Sequence, residues 1–360
     1  MSSNKQTTDA LAMYCEAAGT VFTPKYFALP SPKKGEVLVK NLFTTICTSD
    51  LHTCLGRRSA PLPSVLGHEI IGEVVALPDS PVLDFSGKAL ASGDRITWSV
   101  YAHDSSDEMA RRGIPQKSAA LFKYGHVKAV DASSSLSGGF ASHCLLRRGT
   151  SLFKLPPDLT DAEAAPLNCT HATIAGALRL AGSVQGRRVL VSGVGMLGLS
   201  ACAMATEAGA SVVWAVDPQS ERQRRARLFG ASQVWHSDNI GEVPKVDILI
   251  ETSGVPTAME QGLQRLDIGG VAVWVGAVYR QRDLEINAEI IVRNLLTIKG
   301  LHNYTPQDLA AAIRFLTASR LQYPFQDLVG IRFPLTELDE AVRVADQGAY
   351  YRVGIYPNKK

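Results

Sequence analysis

The chain has little of what marks a membrane, secreted or nucleic-acid-binding protein. No apolar run approaches the roughly 20 residues that a bilayer-spanning helix needs. The polar stretch from Met1 to Asp9 lacks the apolar core of a signal peptide, so cytoplasmic residence is expected. Six cysteines in 360 residues are too sparse for a disulfide framework, and Cys15, Cys54, Cys144 and Cys202 read as reduced thiols. With 37 basic against 34 acidic residues the formal charge is only +3, and no basic run carries interleaved aromatics, so a nucleic-acid partner is not expected. Internal repeats, low-complexity tracts and long flexible linkers are also missing. What remains is a globular chain long enough for two sizeable cores.

Within that chain Cys47, His68 and Cys169 form a set of donors that one zinc ion can share. Thiolate and imidazole are the ligands a borderline-soft dication prefers, and three protein ligands leave a fourth position open for water or substrate. Such an ion makes an alcohol hydroxyl acidic enough to lose its proton near neutral pH, which prepares the carbon to release hydride. The released proton then needs a route out. Ser49 and His52, in the string Cys47-Thr48-Ser49-Asp50-Leu51-His52, fall on the first turn of a short helix predicted to end near Gly56 and make a relay to solvent. Asp50 is placed to accept a hydrogen bond from the His68 ring and orient it. Glu69, next to His68, is a nearby or alternating ligand. Taken singly, each residue also has an ordinary use: Cys47 as a small buried hydrophobe, Thr48 and Ser49 as helix caps, His68-Glu69 as a surface pair.

A second motif supplies the hydride acceptor that such a site would need. Val189 to Ser192 reads as a strand, Gly193-x-Gly195-x-x-Gly198 as a turn, and Leu199 to Gly209 as an Ala-rich helix. Gly193 permits the tight turn, Gly195 lets a pyrophosphate approach the backbone beside Met196 and Leu197, and Gly198 lets helix and strand pack closely. The helix N-terminus then faces the phosphates. A second strand, Ser211 to Val216, ends at Asp217, whose carboxylate suits a ribose 2′-hydroxyl and repels a 2′-phosphate, so NAD is favoured over NADP. Arg222, Arg224, Arg225 and Arg227 either accommodate a phosphate or form the solvated face of the next helix. Val246 to Glu251 and Gly269 to Gly276 continue a parallel, doubly wound sheet, with Val275, Gly276 and Ala277 toward the nicotinamide end. Leu295 to Gly300 reads as an apolar edge strand, which pairing with a second copy would protect, so a homodimer or homotetramer is expected.

With these pieces placed, the chain resembles the zinc-dependent medium-chain alcohol dehydrogenases along nearly its whole length. The matching strings are Cys47 to His52, Gly67-His68-Glu69 with Gly72, Gly93-Asp94-Arg95, the Cys169 segment, the glycine turn and Asp217. The resemblance implies an α/β protein with a barrel-like (GroES-like) catalytic domain at 1–170, a Rossmann NAD-binding domain at 171–301 and a return to the catalytic domain at 302–360. It implies an active site in the cleft between domains, zinc on Cys47, His68 and Cys169 with Glu69 nearby, a Ser49 and His52 relay, and Arg352 near the pyrophosphate. Many relatives carry a structural zinc on four cysteines. At the corresponding spacing this chain has Asp104, Asp107, Ala110 and Ser118, so one ion per chain is expected and the lobe is expected to be a loop held by packing alone.

A finer resemblance lies in Ile114-Pro115-Gln116-Lys117, Leu121 to His126 and Leu301 to Pro306, which are similar to the phosphonate catabolism-associated alcohol dehydrogenases. It implies a small hydroxyalkyl phosphonate or its aldehyde as substrate, with Lys123 and His126 helping to neutralise a dianion unless they belong to an ordinary polar loop. Two other readings stay open: a zinc-free quinone or enoyl reductase on the same two-domain plan, and a nucleotide-binding protein without turnover.

Overall fold

The computed structural model describes residues 9–129 and 131–358. They form two compact units, one of 1–169 with 325–360 and one of 170–324.

The first unit is built on the strand Val37–Ile46, whose β-branched and aromatic residues are almost continuously buried because neighbours cover both faces. Its first half pairs with His143–Leu146, its last residues pair with Arg352–Tyr356, and Glu69–Ala76 runs along its other edge, all antiparallel. Arg95–Ala102 follows beside Glu69–Ala76 and carries Phe122–Lys123 and Thr150–Lys154. Val329–Pro334 closes the far edge of this eight-stranded sheet in parallel with Arg352–Tyr356. Because the long strand has three partners, the ends that carry Cys47 and Glu69 lie side by side: Thr45 sits opposite Glu69 and Ile46 opposite Val353.

In the second unit six parallel strands run in the order Gln233–Trp235, Val212–Val216, Arg188–Ser192, Val246–Glu251, Leu266–Trp274 and Thr297–Gly300. Strand order reverses between Arg188–Ser192 and Val246–Glu251, the switch point at which open α/β sheets bind nucleotides. The helix Met196–Glu207, with Gly195 as its N-cap, begins three residues before the expected Leu199, so Gly198 lies inside its first turn. A Cβ on Gly198 would sit 1.9 Å from the Gly193 carbonyl oxygen, and Gly193 itself has φ +83°. Only glycine allows the helix to start this close to the strand.

Three boundaries differ from expectation for physical reasons. The strand expected at Gly269–Gly276 is Leu266–Trp274, with a register shift at Asp267 to Gly270 that places the two glycines in an irregularity rather than at the start. The strand expected from Leu295 begins at Thr297, since Leu295 has φ +53° and cannot lie in a strand. The return to the first unit falls at Phe325 rather than 302. The helix Pro306–Ser319 stays with the nucleotide unit, where Asp308 takes two bonds from Arg179, at 2.7 and 2.9 Å, on the helix Thr170–Ala181. The run Asp131 to Gly139 contains a short helix, Ala132–Ser135.

The lobe with Asp104, Asp107, Ala110 and Ser118 is also held differently from the expectation of packing alone. Asp107 caps the helix Glu108–Arg111 through Met109 N–H at 2.8 Å and ties back the chain at Ala119 N–H, 3.1 Å away. Asp104 accepts from Ser106 N–H and Oγ, both at 2.8 Å. Hydrogen bonds accepted by carboxylates thus order the loop.

Gly198→Ala is expected to destabilise the nucleotide unit by at least about 1–3 kcal/mol through overpacking. Lower thermal unfolding together with weakened NADH binding by fluorescence titration would show it, while unchanged values would mean that the helix start can shift.

Candidate metal centre and nucleotide turn

The metal-donor cluster is assembled around Asp50. The helix Thr48–Cys54 starts directly after the long strand, and Asp50 at its third position reaches back to the Cys47 N–H, at 3.0 Å, as an acidic residue there commonly does. Its other oxygen accepts from Gly67 N–H at 3.1 Å and lies 3.0 Å from His68 Nδ1. Gly67 has φ +83°, and any Cβ there would strike the Phe140 ring at 2.7 Å, so the turn presenting His68 requires glycine. With Nδ1 committed to Asp50, Nε2 is the nitrogen left to face other donors. Cys169 Sγ lies 3.3 Å from it and Ser49 Oγ 3.2 Å.

Cys47, His68 and Cys169 place one ligand atom each within 4.8 Å of one another, the cluster found among the described residues. Cys47 and His68 are buried and Cys169 is partly buried. Cys169 follows the turn Ala165–Asn168, and Asn168 Oδ1 accepts from Ile70 N–H at 3.3 Å, which joins this segment to the strand after His68. Two sulfurs and one imidazole, converging and buried, fit zinc and leave room for a fourth ligand.

The electrostatics single out the same residues. A hydrogen bond from Cys169 draws the Cys47 thiol well below its ordinary range, against burial and with help from the positive charges of Arg352 and His68. The same bond, with burial, pushes Cys169 well above it, so the two sulfurs share one proton. Burial disfavours a charged His68 ring, but Asp50 and Cys47 outweigh it and raise the pKa to about 10. By contrast burial pushes Cys15 up to about 11 and Cys54 and Cys202 to about 12. They are unlinked, buried thiols, inert where Cys47 is ionised.

Glu69, expected as a nearby or alternating ligand, is held in an ion pair. Its oxygens receive Arg352 Nε at 2.6 Å and Nη2 at 2.8 Å, and Thr45 Oγ1 at 2.5 Å. The guanidinium of Arg352, expected near a pyrophosphate, is buried and bonds to Glu69, to Tyr351 O at 2.9 Å and to Cys47 Sγ at 3.6 Å. His52 is half-buried one turn beyond Ser49, its pKa lowered by burial and by Arg57 and Arg58.

In the nucleotide unit the sequence-predicted residues gather at the glycine turn. Asp217, buried at the end of Val212–Val216, accepts from Val194 N–H at 2.9 Å and Gln219 N–H at 2.8 Å, so it also shapes the turn. Arg222 Nη1 approaches it to 4.0 Å. Gly193, Gly195, Met196, Leu197 and Gly198 form the turn and first helical residues. Val275 and Gly276 direct their N–H groups to Glu251 O, at 2.9 and 3.3 Å, and Gly276 O accepts from Val278 N–H at 3.0 Å, so a tight turn encloses Ala277.

Sequence reasoning missed Arg58, Thr45 and Asn168. Arg58 donates from Nη2 to Ser49 O, Thr53 Oγ1 and His126 Nδ1, at 3.3, 2.9 and 3.4 Å. Its only signal was a position two residues past Gly56, where the helix has ended.

Comparison with known proteins agrees for both units. Residues 33–157 match the alcohol dehydrogenase GroES-like domain and residues 196–318 the zinc-binding dehydrogenase domain. Over 290 residues the chain is 30% identical to an L-threonine 3-dehydrogenase of Thermococcus kodakarensis, covering 76% of this chain and 77% of that one. It is 27% identical over 341 residues to a sorbitol dehydrogenase of Halalkalibacterium halodurans, covering 91% and 93%. A crystal structure of an alcohol dehydrogenase from Thermotoga maritima has the same fold, with a TM-score of 0.91, 24% identity, and 97% of this chain and 100% of that one covered. The two units define an oxidoreductase that uses zinc and a nicotinamide cofactor. The chain belongs to the zinc-dependent medium-chain alcohol dehydrogenase family.

Arg352→Met should leave Glu69 buried without its cation and cost about 3–5 kcal/mol. Urea unfolding would measure it, and the double variant Glu69→Gln/Arg352→Met should recover most of the loss; no recovery would mean that Arg352 acts mainly through Cys47.

Proposed function

We propose that this protein oxidises a primary or secondary alcohol with NAD, and reduces the matching aldehyde or ketone in the reverse direction. The observation that carries the reading is the convergence of Cys47, His68 and Cys169 with Ser49 Oγ 3.2 Å from the metal-facing nitrogen of His68. A zinc-free reductase has no use for such a cluster, and a protein without turnover has no use for the hydroxyl beside it.

Cys47, His68 and Cys169 would hold the zinc. When bound, zinc supplies Lewis acidity to the alcohol hydroxyl and nicotinamide supplies the hydride acceptor. Asp50 holds the His68 proton at Nδ1, so a bound metal would displace the proton on Nε2 and take that lone pair. Ser49 receives the hydroxyl proton and His52, one turn along the same helix, passes it to solvent; burial and nearby arginines hold His52 neutral and ready to accept it. Arg352 holds Glu69 in an ion pair beside the sulfurs. On the nucleotide unit, the N-terminus of Met196–Glu207 would take the pyrophosphate, and Asp217 supports NAD over NADP because its carboxylate accepts from a 2′-hydroxyl and repels a 2′-phosphate.

A small hydroxyalkyl phosphonate or its aldehyde is the substrate class supported by the finer sequence resemblance and by Lys123 and His126, whose turn closes through His126 N–H to Lys123 O at 3.0 Å. A homodimer or homotetramer is supported by Thr297–Gly300 as the outermost strand, with Val292 and Leu295 each 71% exposed beside it. No helix among the described residues is long and apolar enough to cross a membrane, and the proposed location is the cytoplasm.

Protein purified without added zinc should contain about one zinc per chain and prefer NAD to NADP with a panel of alcohols. A metal-free, fully active preparation would end the reading. Cys47→Ser is expected to lose zinc and at least about 100-fold of activity while NADH still binds. Loss of both would make Cys47 chiefly architectural.

A further inference from the structure

We infer that Arg58 is a positioning residue for proton exit: it clamps the helix Thr48–Cys54 at the end opposite Asp50 and so fixes Ser49 and His52, the two residues that carry the proton away. The inference rests on the alcohol dehydrogenase reading and deepens it.

Its first support is which carbonyls Arg58 holds. The helix has seven residues, too few to be stable alone, and its last carbonyls need partners from outside it. Gly56, with φ +74°, reverses the chain and brings Arg58 back beside the helix. There the Arg58 N–H donates to His52 O at 2.9 Å. Its Nη2 donates to Ser49 O at 3.3 Å and to Thr53 Oγ1 at 2.9 Å, and the Thr53 hydroxyl in turn donates to Ser49 O at 3.1 Å. The other end carbonyls go elsewhere: Leu51 O to Leu55 N–H at 3.0 Å, Thr53 O to Gly56 N–H at 3.2 Å and Cys54 O to Gly19 N–H at 2.7 Å. Arg58 thus takes the carbonyls of Ser49 and His52, one with its side chain and one with its backbone.

The same guanidinium reaches the segment that packs on His68. Nη2 lies 3.4 Å from His126 Nδ1, and the His126 ring lies 4.9 Å from the His68 ring, centroid to centroid. Helix and metal-facing imidazole are therefore tied together twice, through Asp50 at one end and through Arg58 and His126 at the other. A helix held at one end can pivot, whereas one held at both keeps Ser49 Oγ at its 3.2 Å from His68 Nε2. Misplacement by about 1 Å costs on the order of 100-fold in such chemistry.

Charge explains why the clamp is an arginine. A cation suits a helix C-terminus. Arg57, next to it, is exposed and takes Asp346 at 2.7 Å, while Arg58 is half-buried and among the described residues no carboxylate pairs with it. The charged groups that act on His52 are Arg57 and Arg58 from the turn, Asp346 from the helix Leu338–Asp346 packed against it, and Cys47 at the helix start. Glu16, in the segment before Gly19, is paired with Lys25 at 2.6 Å, and Asp50 is committed to Cys47, Gly67 and His68. Burial and the two arginines together keep His52 neutral against the two acidic groups. Removing the Arg58 charge leaves His52 protonated to higher pH, where it can no longer accept a proton.

The test uses zinc-loaded wild type, Arg58→Gln, Arg58→Lys and Thr53→Val with NAD and a panel of primary and secondary alcohols. It also follows the His52 ring by NMR in protein with isotope-labelled histidine, assigned with His52→Gln. Arg58→Gln should lower kcat by about 10- to 100-fold while the alcohol KM, zinc content and NADH binding stay near wild type. The acid limb of kcat and the His52 midpoint should both move to higher pH, and the solvent deuterium isotope effect on kcat should rise as proton exit becomes limiting. Arg58→Lys keeps the charge, so it should return limb and midpoint and recover part of the rate. Thr53→Val keeps Arg58 and removes only the hydroxyl between it and Ser49 O; it should lower kcat by about 3- to 10-fold, as loss of one ordinary hydrogen bond implies, with the midpoint unmoved. Wild-type kcat in both Arg58→Gln and Thr53→Val would overturn the inference and leave the dehydrogenase reading intact. Loss of rate that comes with loss of zinc or early thermal unfolding, the midpoint staying put, would also overturn it, because Arg58 would then only brace the fold. A wild type inert toward every alcohol would remove the dehydrogenase reading and this inference with it.

Discussion

A single buried carboxylate organises the metal-donor unit. Asp50 joins the N–H of Cys47, the N–H of Gly67 and the Nδ1 of His68, so the end of one strand, the start of a helix and the turn before the next strand meet at one group. A buried acid with several donors is stable where an isolated one would not be. Asp50 thereby does three things at once: it caps a helix, fixes a glycine turn and sets the tautomer of a metal-facing imidazole. Cys169 is then brought up from the far end of the unit, with Asn168 as its tether to Ile70.

Around that core, charge is distributed in two distinct ways. Arg352 and Glu69 are a closed pair, both buried and bonded twice, whose positive end also stabilises the Cys47 thiolate. Arg58 is instead anchored to a backbone carbonyl, a hydroxyl and an imidazole, and among the described residues no carboxylate pairs with it. The first arrangement serves the metal donors, because it keeps a negative group near the sulfurs without adding a competing ligand. Ionisation follows the same division: four remote cysteines stay protonated under burial, while Cys47 alone is drawn down by its neighbours.

The nucleotide unit shows how few residues carry a binding turn. Gly193 and Gly198 allow helix and strand to touch, and Asp217 shapes that turn through Val194 while presenting its carboxylate at the end of the second strand. The reversal of strand order beside it places the turn at the carboxyl ends of the parallel strands. Glu251 fills the equivalent end of the next strand by capping Ser253 and Gly254, so its neighbouring backbone is ordered from within.

Legibility followed distance along the chain. The glycine turn, the strand Val246–Glu251, the helix after Cys47 and the Asp50 contact with His68 were readable because each depends on residues close in sequence or on a short string with one physical use. Boundaries set by bulges and left-handed residues, such as Leu295 and the glycines at 269 and 270, left no pattern in the hydrophobic periodicity. Sequence by itself determined the donor types, the parallel sheet and the acid at the end of its second strand, since hydrophobic period, glycine placement and ligand chemistry are local properties. Only the tertiary structure decided that Glu69 meets Arg352, 283 residues away, that Arg58 reaches His126, 68 away, and that the helix Pro306–Ser319 stays with the nucleotide unit. Pairing between distant charges is selected by which surfaces pack together and by the need to match each buried ion, and neither requirement is written in any local stretch of the chain.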